Sequence, residues 1–408
     1  MISSLRKQFN ASFTPEKYQA FLRRIDDASG THVQFRLSET PCFFPKSLLD
    51  EMAADGKELI GQLVGNPEYR AKSEESIPAE FRVPNEPEHP MFVQVDFGLV
   101  RDASGELRPK LVELQAFPSL YAYQVAMAQS YIDVYGLLAP GFNFPAAASG
   151  GQELKSFLSG LDETSYRELL RRAIVAENDP ENVILMEIHP QEQKTLCDFL
   201  MTEKMLGVRT VDIVDIKKEG RRLYYENKEK RVRIERIYNR AIVDELQRKD
   251  VKLAFDWRDD LDVEWAGHPN WYFRISKFSI PYLKHESVPK TWFLDRLDEI
   301  PADLENYALK PLYSFAGLGV VIGPKKEDIA AIPAEKRPHY ILQERMHFEP
   351  VIETPFGGTK AEVRVMYVWL EELTAVLTII RMGRGLMMGV DHNKNMEWVG
   401  ASAGLYVA

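Results

Sequence analysis

The stretch from Tyr307 to Tyr367 constrains this chain more than any other. It reads YALKPLYSFAGLGVVIGPKK, then HYILQERM, then AEVRVMYV: short apolar runs with charges at isolated points. Such runs, punctuated by glycine and proline, predict strands. Lys310 closes the first run, so a strand delivers its ammonium to a strand end, and a loop carrying Gly317 and Gly319 follows. An ammonium is a compact point charge suited to phosphate oxygens. Glycines permit positive φ and let amide N–H groups approach an anion closely. An exposed lysine beside an ordinary turn would read the same way. Neither GxxxxGK[ST] nor GxGxxG occurs, which disfavours a P-loop or dinucleotide-binding fold.

The 408 residues predict two or three domains, or one large composite. A 45% hydrophobic content supplies ample core, and a net charge of −10 argues against a nucleic-acid partner, which calls for a basic surplus. Cys42 and Cys197 are the only cysteines, so neither a disulfide framework nor a cysteine zinc site is expected. No apolar run reaches a membrane-spanning length, and MISSLRKQFNASFTPEKY lacks the apolar segment of a secretory signal. A cytoplasmic, reducing location is the expectation.

Thr14 and Pro15 read as helix cap and first helical position, opening a helix to about Asp27. Lys46 to Leu63 predicts a second, amphipathic helix. The polar, Pro/Glu-rich stretch Ser73 to Pro90 reads as loop or linker. A hairpin follows: Met91 to Phe97, a turn at Asp102-Ala103-Ser104-Gly105, then Lys110 to Phe117. Ala139 to Gly151 is a turn-rich junction. Between 182 and 240, NVILMEIH predicts a buried strand, Gln191 to Leu206 a helix and VRTVDIVD another strand; this alternation predicts a parallel α/β unit.

The hairpin carries acids in costly places. Asp96 ends an apolar run, and Glu113 sits within Leu111-Val112-Glu113-Leu114. Buried carboxylates need a partner or a cation. Alternation puts Glu113 and Gln115 on one strand face. With Asp96 they are hard oxygen donors of the kind Mg²⁺ accepts alongside phosphates, or else members of a buried ion pair with an arginine. The Gly400-Ala401-Ser402-Ala403-Gly404 match to GxSxG is set aside, because a hydrolase needs an acid and a histidine after the serine and only Leu405 to Ala408 follow.

Taken in order, the acid-bearing hairpin, Lys310-Pro311 with its glycine loop, and Tyr340-Ile341-Leu342-Gln343-Glu344-Arg345 resemble ATP-grasp ligases. The metal strand precedes the α/β unit, as in the circularly permuted eukaryotic glutathione synthetase; bacterial glutathionylspermidine synthetase has a similar layout. The likeness touches roughly residues 91 to 125 and 182 to 408. It implies an α/β fold with α+β character, a glutathione-synthetase-like ATP-grasp with a Rossmann-like substrate domain inserted by circular permutation. Residues 1–150 would hold an N-terminal helical region and the metal-binding hairpin, 151–270 the α/β substrate domain, and 271–408 the nucleotide-binding region with its lid loop.

The resemblance also implies roles. Lys277, opening a helix after a strand, and Lys310 would hold ATP phosphates; Gly317 and Gly319 would shape the lid; Gln343, Glu344 and Arg345 would form the adenine hinge. Asp96, Glu113 and Gln115 would hold Mg²⁺. Arg364 and Arg381 would act on the acyl phosphate or a substrate carboxylate, unless they are ordinary surface strand arginines. Ser119 and Arg240, the latter in Tyr238-Asn239-Arg240, are substrate-side candidates. Gln115 stands where the family usually has asparagine, and the glycine loop lacks the family's further acidic ligand. Asp391-His392-Asn393-Lys394-Asn395 replaces a glycine run. The implied activity is an ATP- and Mg²⁺-dependent carboxylate–amine ligase with small-molecule partners, a homodimer being open. A phosphotransferase on the same fold and a degenerate nucleotide-binding protein are the alternatives.

Overall fold

The computed structural model describes residues 1–137, 153–313, 318–389, 393 and 395–408. The Ala139–Gly151 junction therefore lies outside the described residues, as do Gly317, Asp391, His392 and Lys394.

Local signals are realised where they are strongest. The helix Pro15–Ser29 starts on Thr14, whose hydroxyl accepts from the Lys17 amide at 3.3 Å, and ends at Gly30 in the left-handed region. The hairpin strands Phe92–Arg101 and Leu107–Gln115 turn on Asp102. Its Oδ1 accepts from the amides of Ser104 at 2.9 Å and Glu106 at 3.0 Å, an Asx turn that fixes the register.

The hairpin joins the largest sheet. Strands Cys42–Phe43, Gly400–Val407, Leu373–Gly383, Gly357–Trp369, Phe92–Arg101 and Leu107–Gln115 lie side by side in that order. All these neighbours are antiparallel except the Cys42–Phe43 pairing. Alternation gives the sheet two chemically opposite faces. Val93, Val95, Phe97, Val363, Val365 and Ile380 turn into a core with Leu49, Met52, Leu59 and Ile60 of the helix Lys46–Val64. On the other parity, register sets Asp96 opposite both Glu113 and Arg364, and Glu362 opposite Arg381.

A second sheet is parallel throughout, in the order Glu264–Ala266, Arg236–Asn239, Val183–Glu187, Arg209–Asp212, with the helix Leu196–Leu206 crossing between the last two. The α/β unit is thus present, with a shorter helix than expected. His189 adopts φ 46° and Pro190 follows, so the chain makes a 3₁₀ turn at Pro190–Glu192 before the helix begins. A third, antiparallel sheet orders Thr291–Phe293, Tyr340–Glu344, Tyr307–Pro311 and Val321–Ile322. A fourth, of three strands, spans Lys217–Ile234.

Ser73–Pro90 corrects the linker reading. It is irregular but packed, with Ile77, Phe81 and Val83 buried. Arg274 clamps it, its Nε at 2.6 Å from Glu86 Oε1 and its Nη1 at 2.7 Å from Ser73 Oγ. A polar composition conceals this because the clamp comes from a distant segment. Among the described residues no helix is long and apolar enough to cross a membrane.

Candidate functional site

The polar face of the large sheet meets the antiparallel third sheet across a cavity of about 410 Å³. The chain leaving Tyr340–Glu344 ties the two together: the Glu349 amide donates to Leu99 O at 2.8 Å, and Phe348 packs on Gly98, where any Cβ would overlap its ring. Glu113, Lys277, Lys310, Gln343, Glu362 and Arg381 all line the cavity. The early hairpin and the late lysine strand, far apart along the chain, therefore share one wall-to-wall space.

Lys310 is nearly buried, at 7% exposure. Its Nζ donates to Gln343 Oε1 at 2.6 Å and Val112 O at 3.3 Å. An ammonium has three protons, so one remains for a ligand. Burial lowers it to about 8, Lys277 adding to the effect while Glu113 opposes it. Gln343 is 1% exposed and its Nε2 has no hydrogen-bond partner among the described residues, leaving a buried donor at the cavity wall. Lys277 Nζ lies 3.6 Å from Glu113 Oε2. The pair of ammonium groups and the open amide donor make a site for a polyanion.

Lys277 opens a 3₁₀ helix, Lys277–Tyr282, and what precedes it is the helix Pro269–Arg274 rather than the expected strand. On the hinge strand both edges of Tyr340–Glu344 are paired. The Glu344 amide donates to Lys290 O and the Arg345 amide to Asn306 O, both at 2.8 Å. The backbone facing the cavity therefore continues past them, to Met346 and His347. Gly319 has φ +75°, as a loop glycine should, and Gly317 lies outside the described residues.

The expected magnesium set is rearranged. Asp96, 1% exposed, is gripped by Arg364: Oδ1 to Nε at 2.6 Å and Oδ2 to Nη2 at 2.7 Å, with Arg381 on Oδ2 as well. This is the arginine ion pair that the sequence left open, and it removes Asp96 as a metal donor. Gln115 goes with it: assigning its amide to suit its neighbours puts the oxygen 2.9 Å from Arg364 Nη1. Burial works to raise the Asp96 carboxyl, but Arg364 and Arg381 outweigh it and hold it below the usual range. Arg364 and Arg381 are consequently not surface strand arginines. Arg381 lines the cavity; Arg364 does not, and serves as the partly buried counter-ion of Asp96.

Glu362 was missed. It sits 2.6 Å from Arg381 Nη2 and lines the cavity. Burial pushes its carboxyl up to about 7 despite Arg381, with Asp96 and Glu113 contributing. Its signal was the one that marked Glu113: an acid inside the apolar strand run AEVRV. Phe35 and Lys194 also line the cavity and carried no local signal at all.

Ser119 and Arg240 stand apart. Neither lines the cavity. Ser119 gives its carbonyl to Gln94 Nε2 at 2.8 Å. Arg240 is 3% exposed, 3.7 Å from Asp198 and over the rings of Phe117 and Phe199. Ser402 of the discarded GxSxG match is fully buried and donates to Thr40 O at 2.6 Å.

Among the described residues no three His, Cys, Asp or Glu side chains are grouped to hold a metal. Glu113, Glu344 and Glu362 are the carboxylates on the wall among the described residues, Glu344 lying 3.5 Å from Lys290. That donor set fits Mg²⁺ carried by ligand phosphates, which needs only one or two protein carboxylates, and does not fit an all-protein metal cage.

No family model matches the sequence, and no curated protein does. Among solved structures, a glutathione synthetase-like effector (GSS30) from Globodera pallida, in its apo form, is similar over 96% of this chain and 98% of its own, with a TM-score of 0.58 and 11% sequence identity. At that identity the likeness speaks for architecture: the mixed α/β chain has a glutathione synthetase-like fold.

Proposed function

We propose that this chain is an ATP-dependent carboxylate–amine ligase with a circularly permuted ATP-grasp core. One observation carries the reading: Lys310, Lys277 and Glu113 face a single cavity, although Lys310 and Val112, beside Glu113, are 198 residues apart. In this reading Lys310 and Lys277 hold the phosphates and the Arg345–His347 segment meets the purine. Glu113 and Glu362 face the metal that travels with the phosphates. Mg²⁺, when bound, neutralises charge on the phosphate oxygens. Arg381 orients the acid. A carboxylate oxygen attacks the γ-phosphorus, the bond to the β–γ bridging oxygen breaks, and ADP leaves with the electron pair. The amine nitrogen then attacks the acyl carbon, phosphate departs, and the nitrogen loses a proton. The protein's part is positioning and charge neutralisation in a closed space.

The test is ADP release from Mg·ATP with a panel of acids and hydroxylamine as a general nucleophile, which traps any acyl phosphate as a hydroxamate. Turnover in wild type and its loss in Lys310→Met support the reading; no hydroxamate with any acid, or equal turnover in the variant, refutes it. A second reading, a nucleotide-binding protein without ligation, has one observation in its favour: Asp96 is held by arginines and is not open to a metal. Mg·ATP binding in calorimetry with no ADP formed would favour it.

A further inference from the structure

The cavity lining falls into two unlike groups. Ala308, Val320, Ile322 and Gln343 belong to the third sheet and its loop. Another part of the lining, from outside that sheet, includes Phe35, Leu386, Met387 and Met388, with Lys194 and Lys360. Leu386 is 69% exposed, a large apolar side chain facing water at the rim.

The 386–388 segment is built. Asn393, 1% exposed, holds it. Its Oδ1 accepts from the amides of Arg384 at 3.1 Å and Gly385 at 3.2 Å, and its Nδ2 donates to Met387 O at 2.9 Å and Gly389 O at 3.2 Å. Lys360 Nζ donates to Gly385 O at 3.2 Å, tying the segment to the strand Gly357–Trp369. Four hydrogen bonds to one buried amide fix the backbone, so the side chains of 386–388 are displayed by a template. Among the described residues, Lys360 and Arg381 bring cationic groups to this part of the lining, where Glu362 is paired with Arg381 and Glu113 also acts on it.

Cations beside an apolar surface suit a ligand with an anionic head and an apolar body. A cationic amine would meet like charge, and a second carboxylate on the body would lose its water against Leu386 and Met387 without a partner. We propose that the acid substrate is a monocarboxylate with an aromatic or branched aliphatic body, its head toward Lys360 and Arg381 and its body against Phe35, Leu386 and Met387. The assignment rests on the ligase reading for the word substrate, but its binding chemistry does not.

Calorimetry with ADP present separates the two. Using 3-phenylpropionate and succinate as probes, the phenyl acid binds at least about tenfold tighter, the scale that one or two apolar groups supply in a pocket. Leu386→Asp, at an exposed position the fold tolerates, lowers that affinity about tenfold and leaves ADP affinity unchanged. Equal or tighter succinate, no binding of either acid, or no effect of Leu386→Asp overturns the proposal. Phenyl-acid binding that never yields a hydroxamate with Mg·ATP and hydroxylamine, when no other acid does either, supports the proposal while refuting the ligase reading.

Discussion

Two clusters of charge lie side by side under one cavity, and they behave in opposite ways. On the large sheet, Asp96, Arg364, Arg381 and Glu362 satisfy one another: every carboxylate oxygen of Asp96 meets a guanidinium. On the third sheet, Lys310 is held by an amide and a carbonyl, with a proton to offer, beside Gln343 Nε2, which has no partner among the described residues. The Asp96–Arg364 core of the first cluster is closed and holds shape, with Arg381 and Glu362 as its edge on the cavity; the second is open and can hold a ligand. Burial is similar, so exposure does not tell the two roles apart. What does is whether the opposite charge is supplied from within.

That contrast predicts where mutations act. The largest effect on stability should come from Asp96→Asn, which takes the buried anion from two partly buried guanidinium groups; urea unfolding should report a loss of about 3–5 kcal/mol. If the loss is below about 1 kcal/mol, the network is not closed in the sense described. Lys310→Met should do the reverse. Nucleotide affinity should fall about a hundredfold or more by calorimetry. Stability at pH 7 should change little, because the lost bond to Gln343, worth about 1 kcal/mol, is offset by removal of a desolvated ammonium. A variant that unfolds, or that binds ADP normally, breaks the comparison.

The pH dependence sharpens it. Glu362 titrates higher in the fold than in the unfolded chain, so its contribution to stability is complete below the ordinary glutamate range and is lost as pH rises through about 7. Asp96 runs the other way: its pKa is lowered, so its contribution is present above the ordinary aspartate range and is lost as pH falls through the depressed value. Glu362→Gln should therefore gain on wild type as pH is raised from about 5 to about 8, read from urea midpoints. A constant difference across that window would show that Glu362 is ionised throughout. The smallest effect belongs to Glu344→Ala. The residue's side chain is 39% exposed and 3.5 Å from Lys290, so stability should stay within about 0.5 kcal/mol of wild type.

Local chemistry was readable in the sequence wherever neighbours decide it. The Thr14-Pro15 helix start, the Asp102 turn and the parallel unit around Val183–Glu187 depend on residues a few positions away. The acids of the hairpin were readable as needing partners, but the identity of the partner was not. Arg364 lies 268 positions from Asp96, and nothing in one chain distinguishes a metal from a guanidinium at that separation. The same limit explains the Ser73–Pro90 segment, fixed by Arg274 from 201 residues downstream of Ser73. Alternation did mark Glu362, two positions before Arg364 on the same face, once the hairpin's logic is applied to that strand. Phe35 and Lys194 reach the cavity only through tertiary packing.

The pairing of Phe92–Arg101 with Gly357–Trp369 also sets a timetable for synthesis. At about 5–20 residues per second, Asp96 is incorporated roughly 13 to 54 s before Arg364. For that interval the hairpin has a bare edge and a carboxylate with no counter-ion, so the nascent chain must shelter a half-made sheet until its C-terminal strands arrive.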